Sequence, residues 1–230
     1  MDNRQSQKEN RRQFIERAFV FAAALPLINF TNSSCQAQTR QPQRQTPQKI
    51  VGGGCDGCES IYERMPEQLS WETKIAAENE PGERMEINGV IYKADGKTPA
   101  PDVILFVYHT DAKGYYSPSP EQTGLARRNG HLRGWMKTNA KGEYKFTSIK
   151  PAPYPNRDIP AHVHPIVKEP DKNEYYSDDY WFDDDALLTK EKRAKAENRG
   201  GSGIVRLTKK GGVWTGTRNI VLGLNIPDYK

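Results

Sequence analysis

Gly134-Trp-Met-Lys-Thr-Asn-Ala-Lys-Gly-Glu-Tyr-Lys-Phe-Thr-Ser-Ile149 reads as a β-hairpin. Its arms, Gly134–Asn139 and Glu143–Ile149, flank the turn Ala140-Lys141-Gly142, and strand-like runs around a short Gly-containing segment pair across it. Upstream, Val103-Ile-Leu-Phe-Val-Tyr-His-Thr110 is an unbroken β-branched and aromatic run, the pattern of a strand covered on both faces. Earlier still, Met85-Glu-Ile-Asn-Gly-Val-Ile-Tyr92 alternates and closes at Asp95-Gly96. Downstream, His162–Lys168 is another strand, and Ile204–Leu207 and Trp214–Leu222 form a final pair around Lys210-Gly211-Gly212. One helix is expected over Asp184–Asn198, which is rich in helix formers and stopped by Gly200-Gly201. Residues 59–80 read as weakly helical or irregular. Short strands, one late helix and many Pro/Gly turns predict an all-β sandwich over residues 59–230, with an irregular N-terminal extension.

The 230-residue chain has a formal charge of +5. Setting aside residues 1–34 leaves 29 basic and 26 acidic residues. The acids cluster at Asp178-Asp179 and Asp183-Asp184-Asp185, and no basic stripe is interleaved with aromatics, so a nucleic-acid partner is not expected. Residues 1–34 read as an export signal. Asn10-Arg11-Arg12-Gln13-Phe14-Ile15 precedes a modest apolar run, Ala18–Ile28, too short for a permanent membrane span. The paired arginines resemble a twin-arginine signal; an ordinary secretory signal is the alternative. Cys35 is either a lipidated anchor or is discarded by cleavage after Ala37. The expected location is the periplasm, or a membrane surface through that lipid. Residues 35–58 read as a flexible linker, polar and Pro/Gln-rich to residue 50 and ending in Cys55-Asp-Gly-Cys58. Three cysteines cannot build an all-cysteine zinc site, and a small structural disulfide is the expected role of the pair in an exported chain.

Four histidines occur in the chain, and two of them, His162 and His164, are one residue apart. Side chains at i and i+2 of a strand share a face, so both imidazoles aim into one space. Such a pair suits zinc, copper, iron or nickel, although an isolated H-x-H is more often structural. Tyr116, in Gly114-Tyr-Tyr-Ser117, and Tyr154, in Lys150-Pro-Ala-Pro-Tyr-Pro155, are candidate phenol donors. Phenolate is a hard anionic ligand that favours Fe(III), and a nearby trivalent ion lowers the phenol pKa.

The order of these pieces carries further. Gly89-Val90, Pro99, Val103–His109, Gly114–Ser117, Thr138–Phe146, Ile149–Pro155 and Pro160-Ala-His-Val-His164 together resemble the intradiol ring-cleavage dioxygenases, the catechol and protocatechuate 3,4-dioxygenase type. The resemblance covers about residues 83–185. Glu174–Asp185, Leu187–Glu191, Gly212–Thr215 and Ile220–Pro227 resemble an exported branch of that family. It implies a β-sandwich with non-haem Fe(III) among its connecting loops, held by Tyr116, Tyr154, His162 and His164. It also implies cleavage of a catecholic aromatic with O2 to a muconate-type diacid, with Tyr154 leaving the iron when substrate binds. Tyr115 is the rival for the first tyrosine; alignment through Ser117 favours Tyr116.

One departure stands out. The family's arginine three residues before the first histidine is Ile159 here, and Arg157 is the expected substitute beside Tyr154 as a catalytic residue. The family's glutamine is replaced by an acid near Asp179. His109 is expected to be structural and His131 a solvated loop residue. Trp135, Tyr144, Trp181 and Phe182 are expected in the core. The rival functions are a non-catalytic sandwich module of transthyretin-like or carbohydrate-binding type, and a copper or zinc site on the same fold.

Overall fold

The computed structural model describes residues 50–230. The export signal over 1–34, Cys35 and the linker up to residue 49 lie outside the described residues. Among the described residues there are twelve strands. The first six are β1 (Glu72–Lys74), β2 (Arg84–Tyr92), β3 (Ile104–His109), β4 (Arg133–Lys137), β5 (Glu143–Ile149) and β6 (His162–Lys168). The remainder are β7 (Tyr175–Tyr176), β8 (Tyr180–Phe182), β9 (Ile204–Val205), β10 (Thr208–Lys210), β11 (Val213–Thr217) and β12 (Ile220–Val221). Two short helices, α1 (Gly124–Asn129) and α2 (Lys190–Ala194), join them.

The strands form two six-stranded sheets. One runs β1-β5-β2-β11-β10, with β12 also paired to β2; the other runs β4-β3-β6-β8-β9, with β7 paired to β6. Along β2, Met85, Ile87, Gly89 and Ile91 are buried and the residues alternating with them are not, as the two-residue period of a half-covered strand dictates. Met85, Ile87 and Ile91 join Leu105 and Val107 of β3, Phe146 of β5, Val163 and Val167 of β6 and Phe182 of β8 in one core. Removing each such side chain from water stabilises the fold by roughly 1.5–3 kcal/mol. This is the expected all-β sandwich.

The expected double covering of β3 has a specific source. Phe106 and Tyr108 face away from the main core and pack in a second cluster with Cys58, Ile61 and Ile166. The lid over that face is therefore the segment before β1. Val51 and Cys58 are buried there, and Gly52 N donates to Pro227 O at 2.7 Å. From residue 50 onward, the stretch expected to be flexible is seated on the sandwich.

The expected helix over Asp184–Asn198 is a correction, because only Lys190–Ala194 is helical. Its acids are used elsewhere. Asp184 pairs with Lys150 and Asp183 with Arg193, while Asp185 accepts from the amides of Ala161 and Leu187. Thr189 caps the short helix that remains. These tertiary ties override the residues' helix propensity.

Candidate metal centre

The site begins with the alternation of β6. Val163 and Val167 point into the main core, which turns His162 and His164 to the opposite face of the sheet. There Tyr108, the β3 neighbour of His164, lies with its ring 4.7 Å from the imidazole. His162 Nε2 and His164 Nε2 are 3.0 Å apart. Each ring's other nitrogen faces a group that only accepts: His162 Nδ1 is 2.7 Å from Pro160 O, and His164 Nδ1 is 2.7 Å from Asp179 Oδ1. Both Nδ1 atoms therefore donate, leaving a lone pair on each Nε2.

Two phenols complete the cluster. Tyr116 Oη is 2.9 Å from His164 Nε2 and 2.5 Å from Tyr154 Oη. Tyr154 Oη is 3.0 Å from His162 Nε2 and 3.4 Å from His164 Nε2. Donors about 2.1 Å from a common ion and at right angles to each other lie about 3 Å apart. The spacing fits one mononuclear centre.

The same region offers a competing grouping, in which His162, His164 and Asp179 bring one ligand atom each within 4.8 Å of one another. Asp179, however, engages Nδ1 of His164, whereas the phenols converge on Nε2. Asp179 therefore orients the imidazole, as carboxylates behind metal-bound histidines do.

Burial pushes Tyr116 and Tyr154 above the usual tyrosine value; for Tyr154 the hydrogen bond from Tyr116 and the charge of Arg157 oppose that rise. Burial, and then the neighbouring His164, hold His162 below the ordinary histidine value. Burial raises Asp179, but the adjacent His164 more than offsets it and keeps the carboxyl below its usual range. Phenols held this high ionise only beside a strong cation. Two neutral imidazoles and two such phenols suit a hard trivalent ion, and ferric iron fits these residues.

The phenols are brought together by two cross-linked loops. Asp111 accepts from the amides of Lys113 and Tyr115 and from Ser117 Oγ, which folds the Tyr116 loop. Gly114 has φ +84°, and a Cβ there would lie 2.1 Å from Pro153 O. Only glycine allows that approach of the Tyr116 loop to the Tyr154 segment. Thr110 Oγ1 donates to Ala152 O at 2.7 Å, and Ala152 N donates to Asp111 O.

The structure therefore brings Tyr116, Tyr154, His162 and His164 together. Tyr115 is 56% exposed and points elsewhere. Arg157 is exposed on the turn after Tyr154, where its amide donates to Tyr154 O at 3.3 Å; its side chain lines neither cavity described below. His109 is structural: burial pushes it down to about 4, and its ring bonds Thr110 O and Ser148 Oγ. His131 corrects its expectation as a solvated loop residue. It is half-buried, clamping Ser117 O at 2.6 Å and Glu80 at 3.0 Å. Tyr144 and Phe182 are core residues, and Trp135 packs on the second cluster. Trp181 is a second correction. It is half-buried and lines a cavity.

Two cavities reach the centre. One, of about 230 Å³, is lined by Tyr116, Tyr154, His164, Tyr108, Tyr176 and Asn129, with Asp56, Gly57 and Arg128 among its other walls. Asn129 is buried and its Oδ1 has no hydrogen-bond partner. It is carried by α1, whose Leu125 and Ala126 amides donate to the Glu63 carboxylate. The other, of about 470 Å³, is lined by His164, Asp179, Trp181, Tyr176, Lys195 and Ile204 among others. No residue-level signal marked Tyr108, Tyr176 or Asn129, because strand pairing and the segment before β1 bring them to the site.

Fold and side chains define a β-sandwich protein with a cluster of two histidines and two tyrosines whose spacing suits one metal ion. A family model described as Dioxygenase matches residues 61–206. The chain is 26% identical over 151 residues to the catechol 1,2-dioxygenase of Acinetobacter baylyi, covering 55% of this chain and 47% of that protein. It thus spans about half the length of that curated relative. Among solved structures, it superposes on a 3-chlorocatechol 1,2-dioxygenase from Rhodococcus opacus with a TM-score of 0.52 at 20% identity, covering 67% of this chain and 66% of that one. The dioxygenase domain of a dioxygenase–carbohydrate-binding fusion from Streptomyces gives 0.50 at 19% identity, covering 69% of this chain and 91% of that one. At these identities the structural likeness is one of fold. The matched family model places this chain in the intradiol ring-cleavage dioxygenase family.

Proposed function

We propose that the chain holds ferric iron at Tyr116, Tyr154, His162 and His164 and uses O2 to cleave a catechol between its hydroxyl-bearing carbons, giving a muconate-type diacid. The observation that carries this reading is the convergence of two phenol oxygens and two Nε2 atoms at 2.5–3.4 Å, with both Nδ1 atoms committed elsewhere. Bound there, ferric iron supplies the Lewis acidity that activates a chelated diol toward O2.

The protein's own groups divide the remaining work. His162 and His164 are fixed by the register of β6, and their Nδ1 partners keep Nε2 as the donor. Tyr154 stands on an irregular segment between Pro153 and Pro155, outside any strand. It is the donor that can give way at least cost, and its Oη takes a proton from the incoming diol. Tyr116 is the more firmly held phenol, packed against the second cluster. The cavity of about 230 Å³ bounds the ring. Arg157, three residues after Tyr154, stays the proposed cation for charge on the ring; its exposed side chain lies outside both cavities here and must turn inward to reach it.

The iron-loaded protein is expected to be red to burgundy from phenolate-to-iron charge transfer, and to consume oxygen with at least one of a panel of catechols. Colourless, iron-free protein from iron-replete cells overturns the reading. We place this activity outside the cytoplasm: the signal-like residues 1–34 and the Cys55–Cys58 disulfide both suit an oxidising compartment. Cell fractionation tests that placement.

A further inference from the structure

The two cavities beside the centre have only His164 and Tyr176 in common. His164 is a proposed metal ligand on a central strand. Tyr176 is therefore the side chain that partitions the space. It sits on the two-residue strand β7 and packs against the cluster of Phe106, Tyr108, Cys58 and Ile166. Its Oη is 3.3 Å from Asp56 O and 3.4 Å from Tyr108 Oη. Cys58 of that cluster is bonded to Cys55, so the ring rests against a covalently constrained wall.

The volumes give the partition its meaning. The cavity holding Tyr116 and Tyr154 measures about 230 Å³, below the roughly 300–1,000 Å³ of sites for drug-sized ligands. It suits a single small ring. The neighbouring cavity of about 470 Å³ is walled by Trp181 and Ile204, with Lys195 and Arg199 also lining it. Joined, the two would offer about 700 Å³, well inside the range for a larger ligand.

Resting on the function proposed above, we propose that Tyr176 is a specificity-determining residue: its ring restricts the site to compact catechols and shuts a ring substituent out of the Trp181 cavity. The hydroxyl contributes little, because both of its contacts are long; the ring is the barrier. Packing against Phe106, Tyr108, Cys58 and Ile166 keeps that ring from swinging aside.

The test compares binding of catechol and of a phenyl-substituted catechol to the iron-loaded protein by anaerobic calorimetry, alongside kcat/KM for both. The wild type is expected to favour catechol. Tyr176→Ala should raise the substituted-to-unsubstituted ratio by about tenfold or more in both measurements, the scale at which a pocket discriminates by bulk. Tyr176→Phe should leave the ratio near the wild-type value. Tyr176→Leu serves as a second opening variant should the alanine protein fail to fold. A wild type that binds both diols equally, or folded Ala and Leu variants whose ratio is unchanged, overturns the inference alone. A wild type that binds no diol overturns the proposed function and this inference with it.

Discussion

Asp179 Oδ1 accepts a hydrogen bond from His164 Nδ1 at 2.7 Å, so an acid from the segment before β8 fixes which nitrogen of His164 faces the phenols. Asp179→Asn removes the charge behind the ring, and Asp179→Ala removes the partner altogether. Both should weaken iron retention, by roughly 10–100-fold, as losses of such partners do. Competition with a chelator measures it, and the alanine variant should lose more.

The two phenols differ in what holds them. Tyr154→Phe should keep iron bound with a weakened charge-transfer band, and should lower turnover by roughly 100-fold or more, the usual scale for a lost proton acceptor. Tyr116→Phe should cost iron affinity as well as colour. Absorption spectra with iron quantified on the same samples separate the two outcomes. An unchanged spectrum removes that tyrosine from the ligand set.

His131 ties the Tyr116 loop to Glu80. Burial pulls its pKa down, but the Ser117 carbonyl and the Glu80 carboxylate outweigh it and hold it above the ordinary histidine value. A group raised on folding stabilises fully below its unfolded value, about 6.5, and that contribution fades as pH rises through the folded value. The Tm lost in His131→Gln should therefore be larger at pH values below about 6 than in the alkaline range. Thermal unfolding of both proteins across pH checks the sign.

Phe106 is fully buried and stacks 4.9 Å from Trp135 in the cluster that supports Tyr108 and Tyr116. Phe106→Ala should cost about 3–5 kcal/mol in urea unfolding. The same variant should broaden the iron spectrum, because Tyr116 packs on that cluster.

Replacing both Cys55 and Cys58 with serine opens a very short loop. Chain-entropy reasoning assigns it about 2 kcal/mol, less than a long-range bridge would give. Denaturant midpoints with and without a reductant should show that loss in the wild type and no further change in the double variant.

Local patterns carried most of the fold into the sequence. The strands within Gly134–Ile149 and the doubly covered run at Val103 are legible because residue period fixes each of them. The expected hairpin is not formed: β4 pairs with β3 and β5 with β2, so the turn Ala140-Lys141-Gly142 carries the chain from one sheet to the other, and which strand each arm joins is set by tertiary pairing. The parallel pairing of β1 with β5 and of β11 with β2 has no such local mark, since it depends on contacts distant in sequence. Asp184–Asn198 misled for the opposite reason: its helix formers are real, but Asp184 and Asp185 are drawn into long-range ties. At the centre, the H-x-H pair was legible from strand geometry, whereas the two tyrosines gained meaning from motif order. Trp181 and His131 were misjudged because cavity walls and loop clamps are assembled by tertiary contact.

The meeting of Gly114 with the Pro153 carbonyl carries a lesson for transplanting this centre. The gap between the two phenols is dictated by main-chain contact two residues before Tyr116 and one before Tyr154. A designer who copied only the four donor side chains onto another scaffold would import the chemistry without its ruler. Any residue other than glycine at that crossing would part the loops and leave the oxygens too far apart to share one ion.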